Sequence, residues 1–396
     1  MRNLITISLV CLLINFKLIA QDYRLSNELK LLTQATNKTD SIWNSWLNLE
    51  RIPLTFEDSV LFLYRGDARS VKWMGDFNAW GYQSDFPNTG KKIPNTDIWY
   101  LKARFPADAR LDYKILINDK DWILDPANSN QQWSGVGGGS PNSELRMPDW
   151  KDKDIDYEVP RDQRGSIKKD ILFNSKSLGY QIMYSVYTPN KNYPHSELPI
   201  AYITDGYEYM HERMGNMIQM LDYLIANKKI KPIIAVFVDH REPVNRSNNR
   251  RMQELAMNSK YLSFFTEEFI PEIEKQYPAS KNPNDRAIFG TSMGGLTAAY
   301  FAISKPDVFG LAGIQSPAFW FKPEIYALCD NPDNPPIKIA MTSGLINDSH
   351  EGARKMKDIL DRTACTYQYI EVNEGHSWGN WRALLDEILI FFFGTE

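Results

Sequence analysis

The stretch "AIFGTSMGGLTAAY", Ala287 to Tyr300, decides the fold. A short apolar run ends at Phe289, a small-residue turn follows, and a helical pattern rich in Ala and Leu begins after Met293. A sharp passage from strand to helix crowds backbone against backbone, so small residues must flank its apex; Gly290, Gly294 and Gly295 do so. Such a turn lifts the Ser292 hydroxyl above a sheet. It also aims the next N–H, that of Met293, at a position where an oxyanion can be held. The letters Gly-x-Ser-x-Gly alone occur by chance in unrelated chains; the strand before and the helix after give them meaning.

Outward from this stretch, everything after Gly165 alternates strands with helices. Strand candidates are "IAYIT" (200–204), "IIAVFV" (233–238), "AIFG" (287–290), "LAGIQ" (311–315), "IKIAMTS" (337–343) and "YQYIEV" (367–372). Helical periodicity separates them over 210–225, 261–277, 293–303, 352–360 and 381–393. In the second of these, Tyr261, Phe265, Phe269 and Ile273 recur every fourth residue and form one ring-rich stripe. Near-continuous apolar strands joined by helices imply a mostly parallel sheet covered on both faces.

The preceding half has another grammar. Short alternating runs, "SVLFLYR", "SVKWMG", "IWYLKA", "LDYKILI" and "DWILD", are separated by polar turns, which predicts a small antiparallel sandwich. Residues 21–51 carry apolar positions at helical spacing. A glycine-rich stretch, "SGVGGGSPNSE", and a charged run follow, so a boundary is expected between residues 150 and 165. The expected organisation is a signal peptide at 1–20, an N-terminal module at 21–150, a linker at 151–164 and an α/β domain at 165–396.

At 396 residues the chain is long enough for two cores, and a net charge of −4 supplies no electrostatic reason for a polyanionic partner, so nucleic acid is not expected. "MRNLITISLVCLLINFKLIA" places Arg2 before an apolar run that is short, is interrupted by Asn15 and Lys17, and ends in a small residue. It reads as a signal cleaved before Gln21, giving a periplasmic or secreted protein with no membrane span after cleavage, the rival reading being an uncleaved membrane anchor. Cys329 and Cys365 remain; oxidation in that compartment depends on a geometry that sequence does not give. Neither has the neighbours of a metal ligand, and no metal or cofactor is expected.

A serine nucleophile needs a base, and the chain has five histidines. In the order Ser, acid, His that accompanies this type of turn, only His350 and His376 lie downstream. His376 sits in the polar "EGHSWGNW" after the last strand candidate and is the expected base, whereas His350 reads as a helix N-terminal residue. The acid should leave the loop after the preceding strand, where "IKIAMTSGLINDSHEG" offers Asp348 and, next to it, Glu351; Asp330 follows no strand. The second oxyanion donor is expected from "IAYITDGYEY", where Gly206 allows close backbone approach and the Tyr207 N–H would join that of Met293.

Taken together, "ITDG", "FVDHREP…RRMQELA", "FTEEFIPEIEKQY", "GTSMGG", "SPAFWF", "HEGARKM" and "EGHSWGNW" give residues 165–396 a resemblance to the esterase D branch of the α/β-hydrolases. That branch holds enterochelin, feruloyl and acetylxylan esterases. The first half resembles the early-set immunoglobulin-like module that precedes such esterases and occurs in glycogen-branching enzymes, through "VLFLYRGDARSVKWMGDFNAW" and "LDYKILINDKDWILDP". The resemblance implies an α/β-hydrolase with Ser292, Asp348 and His376 as nucleophile, acid and base, acting on a siderophore ester or on a feruloyl or acetyl ester of plant polysaccharide. It also implies that Trp320, Arg251 and Tyr207 line the substrate site, with Arg251 and Glu254 matching an "R…EL" pattern that either orders a loop beside the pocket or forms a structural ion pair, and that Trp80 and nearby rings either contact a ligand or pack in a core. The alternatives are an acyltransferase of the mycolyltransferase type and an inactive carbohydrate-binding protein.

Overall fold

The computed structural model describes residues 27, 29–31, 39–83, 85–135, 140–152, 157–193, 196–333 and 335–395. The expected signal peptide, His195 and part of the expected linker lie outside them. Two compact units emerge. The first takes in the described residues up to Gln132, with Pro141–Asp152 and Asn373–Gly375; the second holds Trp133–Ser140, Lys153–Val372 and His376 onward. The chain therefore passes between the units more often than a single boundary at 150–165 allows.

In the first unit the strands are β1 (Leu54–Phe56), β2 (Ser59–Arg65), β3 (Val71–Gly75), β4 (Lys91–Lys92), β5 (Ile98–Arg104), β6 (Arg110–Ile117), β7 (Asp121–Ile123), β8 (Gln131–Ser134) and β9 (Ser140–Arg146). They form two sheets, ordered β1-β2-β5-β4 and β3-β6-β9-β8, with β7 beside β6. Their inner faces meet through rings: Phe62 of β2 lies 6.0 Å from Trp73 of β3 and 5.2 Å from Tyr113 of β6. The helix Thr39–Asn48 buries Trp43 and Trp46 against Leu54, Leu61 and Ile98. Trp80 is half-buried with its indole N–H donating to Asp76 Oδ1 at 3.2 Å. At the start of β6 Arg110 is buried among carboxylates, 3.0 Å from Asp112, 3.0 Å from Glu144 and 3.5 Å from Glu374.

The second unit contains one sheet of eight strands: β10 (Ser166–Asn174), β11 (Gln181–Thr188), β12 (Ile200–Ile203), β13 (Ile234–Asp239), β14 (Arg286–Thr291), β15 (Leu311–Gln315), β16 (Lys338–Gly344) and β17 (Thr366–Val372). Their order is β10-β11-β13-β12-β14-β15-β16-β17. β11 runs antiparallel to both neighbours, and from β13 to β17 all pairs are parallel. This is the α/β-hydrolase topology. Alternation along β12 shows the two covered faces. Ile200 and Tyr202 enter one core with the helix Met293–Ser304, while Ala201 and Ile203 enter the other with the helix Trp378–Phe393.

Two expectations change. The pair β10–β11 was not among the strand candidates, because "SIKKDILFN" carries lysines that keep a sheet edge soluble and shows no continuous apolar run. The single helix expected over 261–277 is three pieces: Ser259–Ser263, a π-helical turn Phe264–Phe269, and Ile270–Gln276. Pro271 cannot donate to the carbonyl four residues back and would clash with it; a π turn absorbs that conflict. The stripe Tyr261, Phe265, Phe269 and Ile273 is nevertheless fully buried. Both Cys329 and Cys365 are free thiols. Among the described residues no helix is long and apolar enough to cross a membrane.

Candidate active site

The site forms where ligands bind in open α/β sheets, in loops leaving the carboxyl ends of parallel strands. Ser292 follows β14 directly and adopts φ 56° and ψ −114°, a strained conformation for a residue with a Cβ. The turn tolerates it because its glycines are compressed. A Cβ on Gly290 would come 2.2 Å from the Gly294 backbone, and one on Gly294 2.6 Å from Thr204 Oγ1. The Ser292 N–H donates to the Gln315 carbonyl at 2.8 Å and its carbonyl accepts the Ala318 N–H at 3.0 Å, which clamps the turn to the end of β15.

The acid and the base meet. Asp348, in the loop after β16, has Oδ1 2.6 Å from His376 Nδ1. Its Oδ2 accepts the Ser316 hydroxyl and the Gly344 N–H, each at 2.6 Å. Burial would raise this carboxyl, but the hydrogen bond and charge of His376, with the Ser316 hydroxyl, hold it below the usual carboxylate range. A carboxylate with every partner donating leaves the proton on Nδ1 and the lone pair on Nε2. The Trp381 ring meets the imidazole edge to face at 4.9 Å, and its indole N–H donates to Ser316 Oγ at 2.8 Å. One run of bonds thus joins the nucleophile's backbone to Gln315, Ser316, Asp348 and His376.

Glu351 lies exposed in the first turn of the helix His350–Leu360, and Asp330 pairs with Arg362 at 2.8 Å, so neither meets His376. His350 is half-buried at the start of that helix. Met293 opens the helix Met293–Ser304, and Tyr207 is the second residue of the short helix Gly206–Met210. First-turn amides have no acceptor within their own helix, so both N–H groups are suited to an outside oxygen. In the loop before Tyr207 the left-handed residue is Asp205, at φ 54°, and Gly206 is needed for contact: its Cβ would lie 2.5 Å from the Phe237 backbone.

Other expected substrate residues divide. Trp320 is 75% exposed, two residues beyond the Ala318 that binds Ser292, with Phe321 edge-on at 5.7 Å. Of the two readings of Arg251, the geometry is that of a structural ion pair. Its guanidinium is taken up by Asp205, at 2.6 and 2.8 Å, and by the Thr291 carbonyl at 3.1 Å, because a buried carboxylate outcompetes a passing ligand for a planar donor fork. Tyr207 begins a row of rings and cations: Arg241 covers it at 4.0 Å, His211 is 5.8 Å away, Trp133 stacks on His211 at 5.5 Å, and Arg213 lies 5.1 Å over Trp133. Burial and the Asp205 charge push Glu208 up to about 7, against the pull of its partner Arg241. Among the described residues no cluster of three or more His, Cys, Asp or Glu could hold a metal ion.

Sequence reasoning missed His240. It follows β13, is buried, and sits between the Asp205 N–H and Glu254. The order of nucleophile, acid and base excluded it as the base; its place at the carboxyl end of a strand was the signal available.

The chain is similar to known esterases. The family model described as Putative esterase matches residues 175–392. The Iron(III) enterobactin esterase of Escherichia coli O6:H1 is 24% identical over 293 residues, covering 66% of this chain and 70% of that protein. The Endo-1,4-beta-xylanase/feruloyl esterase of Xylanibacter ruminicola is 24% identical over 74% of this chain, which spans only 39% of that longer protein. Among solved structures, the Ferric Enterobactin Esterase of Salmonella typhimurium superposes with a TM-score of 0.74 at 20% identity, covering 88% of this chain and 98% of that one. At that identity the likeness speaks for the fold.

Proposed function

The chain belongs to the Putative esterase family and is a carboxylic ester hydrolase, and from that premise we propose that it works through an acyl-enzyme on Ser292. The observation that carries the reading is the buried Asp348 carboxylate bonded to His376 Nδ1 at 2.6 Å, on a sheet whose β14 delivers Ser292 at a strained turn. Ser292 Oγ attacks the ester carbonyl carbon while His376 Nε2 takes its proton, and Asp348 stabilises the imidazolium. The negative oxygen of the tetrahedral intermediate turns toward the Met293 and Tyr207 amides. Collapse breaks the bond to the alcohol oxygen, which leaves with the proton from His376. Water then repeats the sequence on the acyl-enzyme and restores the serine.

The substrate we propose is a siderophore ester, with a feruloyl or acetyl ester of plant polysaccharide as the second reading. The rings of Tyr207, His211 and Trp133, with Arg213 over Trp133, support an ester bearing planar rings, while Arg241 is held by Glu208 and Asp239. A relative named as a feruloyl esterase favours the second. Export, read from the apolar leader, is part of the proposal. Turnover on a siderophore trilactone, methyl ferulate, acetylated xylan and p-nitrophenyl acetate tests it. The trilactone is expected to give the highest kcat/KM, and a preference for methyl ferulate or acetylated xylan moves the assignment to polysaccharide esters.

A further inference from the structure

The two proposed oxyanion donors come from separate loops, and nothing in either loop alone fixes the distance between them. The bond network around Asp205 does. Its backbone N–H donates to His240 Nε2 at 3.2 Å, so that nitrogen carries a lone pair and the ring proton sits on Nδ1. Nδ1 faces Glu254 Oε2 at 2.5 Å, and Glu254 is fully buried. The carboxylate thereby selects the tautomer that can accept from the loop.

Glu254 ends a single helical turn, Arg251–Glu254, and Arg251 opens it. While Glu254 fixes the imidazole that holds the Asp205 backbone, Arg251 grips both oxygens of the Asp205 side chain and also the carbonyl of Thr291, the residue before the nucleophile. One turn therefore ties the loop that carries Tyr207 to the turn that carries Met293. Charge is balanced as well. A Cβ on Gly294 would lie 3.1 Å from Asp205 Oδ2, so this carboxylate stands at the start of the helix that begins with Met293. Unmatched, it would repel a developing oxyanion; matched by Arg251 it does not. Although burial raises the Asp205 carboxyl, Arg251 outweighs that and keeps it ionised.

We propose that His240, set by Glu254, and Arg251 are the positioning residues of the oxyanion hole, holding the Tyr207 and Met293 amides in one geometry without touching substrate. The proposal rests on the acyl-enzyme reading. Positioned amides act on the transition state, so their loss lowers kcat and leaves KM nearly unchanged.

The test uses the full chain with p-nitrophenyl acetate as substrate and a phenylboronic acid as transition-state analogue. His240→Leu removes the acceptor and is expected to lower kcat about 100-fold, with KM within about threefold. His240→Gln, whose amide can accept from Asp205 and donate to Glu254, is expected to recover most of that loss. Boronate affinity should fall in step with kcat/KM, while affinity for the acetate product stays as in the wild type. Arg251→Lys, which keeps the charge and loses the fork, is expected to lower kcat about tenfold and decides the matter if His240→Leu does not fold. A folded His240→Leu with wild-type kcat, or one whose loss lies in KM, overturns the proposal; so does Arg251→Lys with unchanged kcat and boronate affinity. If Ser292→Ala instead retains turnover, the acyl-enzyme reading itself has failed, and this outcome is distinct from the others.

Discussion

The cluster around Arg110 in the first unit and the cluster around Asp205 in the second both bury charge, and they balance it differently. Arg110 faces Asp112, Glu144 and Glu374, with Asp76 near them, so carboxylates outnumber the buried cation. Burial, and for Asp76 the charge of Asp112, pushes Asp76, Asp112 and Glu374 upward. Around Asp205 one carboxylate has a cation to itself: Arg251 takes both oxygens of Asp205, which is held down, while Glu208 and Asp239 share Arg241 and are raised, and Glu254 faces the His240 ring. A surplus of buried acid relaxes by taking up protons. A carboxylate with a guanidinium to itself, as Asp205 has in Arg251, stays ionised and keeps its hydrogen bonds fixed, which is what a loop beside a reacting carbonyl requires.

The largest expected effect lies at the site both designs are measured against. Asp348→Asn, which removes the carboxylate that sets the His376 tautomer, is expected to lower kcat about 10⁴-fold in steady-state assays while leaving the unfolding midpoint close to wild type. Next, Arg110→Met should separate the clusters by what it damages: leaving buried carboxylates unpaired is expected to cost about 3–5 kcal/mol in denaturant unfolding. If that variant unfolds like the wild type, the Arg110 cluster does not do the structural task assigned to it.

Proton linkage sharpens the contrast, because Asp76 and Asp205 are shifted in opposite directions. Asp76 has a raised folded-state pKa, so its contribution is fully present below the ordinary carboxylate value and is lost as pH rises through the folded one. Asp205 is depressed, so its contribution is present above the ordinary value and is lost as pH falls through the folded one. Unfolding measured from pH 4 to 8 should therefore show Asp76→Asn gaining on the wild type as pH rises, with a slope of up to about 1.4 kcal/mol per pH unit. Glu208, pushed up to about 7, behaves like Asp76, and Glu208→Gln should flatten the stability profile between about pH 4.5 and 7. The smallest effect is expected at Trp320. With 75% of its surface exposed, Trp320→Ala should change stability by less than about 0.5 kcal/mol, and a rise in KM for ring-bearing esters alone would mark it as a substrate contact.

The parallel strands were legible because strands buried on both faces must be continuously apolar, and "LAGIQ" matches β15 residue for residue. The Ser292 turn was legible because crowding at its apex admits only glycines, as Gly290 and Gly294 show. The choice between Asp348 and Glu351 was not, since three residues of separation in one loop do not say which side chain turns inward. His240 was hidden for a related reason: its importance lies in burial and in one backbone N–H, and neither leaves a periodic trace. Short passages such as Asn373–Gly375, which pack with the first unit, are invisible to composition, which reads boundaries only where long stretches change character.

Whether Ser292 is an activated nucleophile can be read by covalent capture with a fluorophosphonate, followed by intact mass and peptide mapping. One adduct per chain is expected on Ser292, absent in Ser292→Ala and formed far more slowly in His376→Ala. An unmodified wild type, or an adduct that persists when Ser292 is replaced, would contradict it.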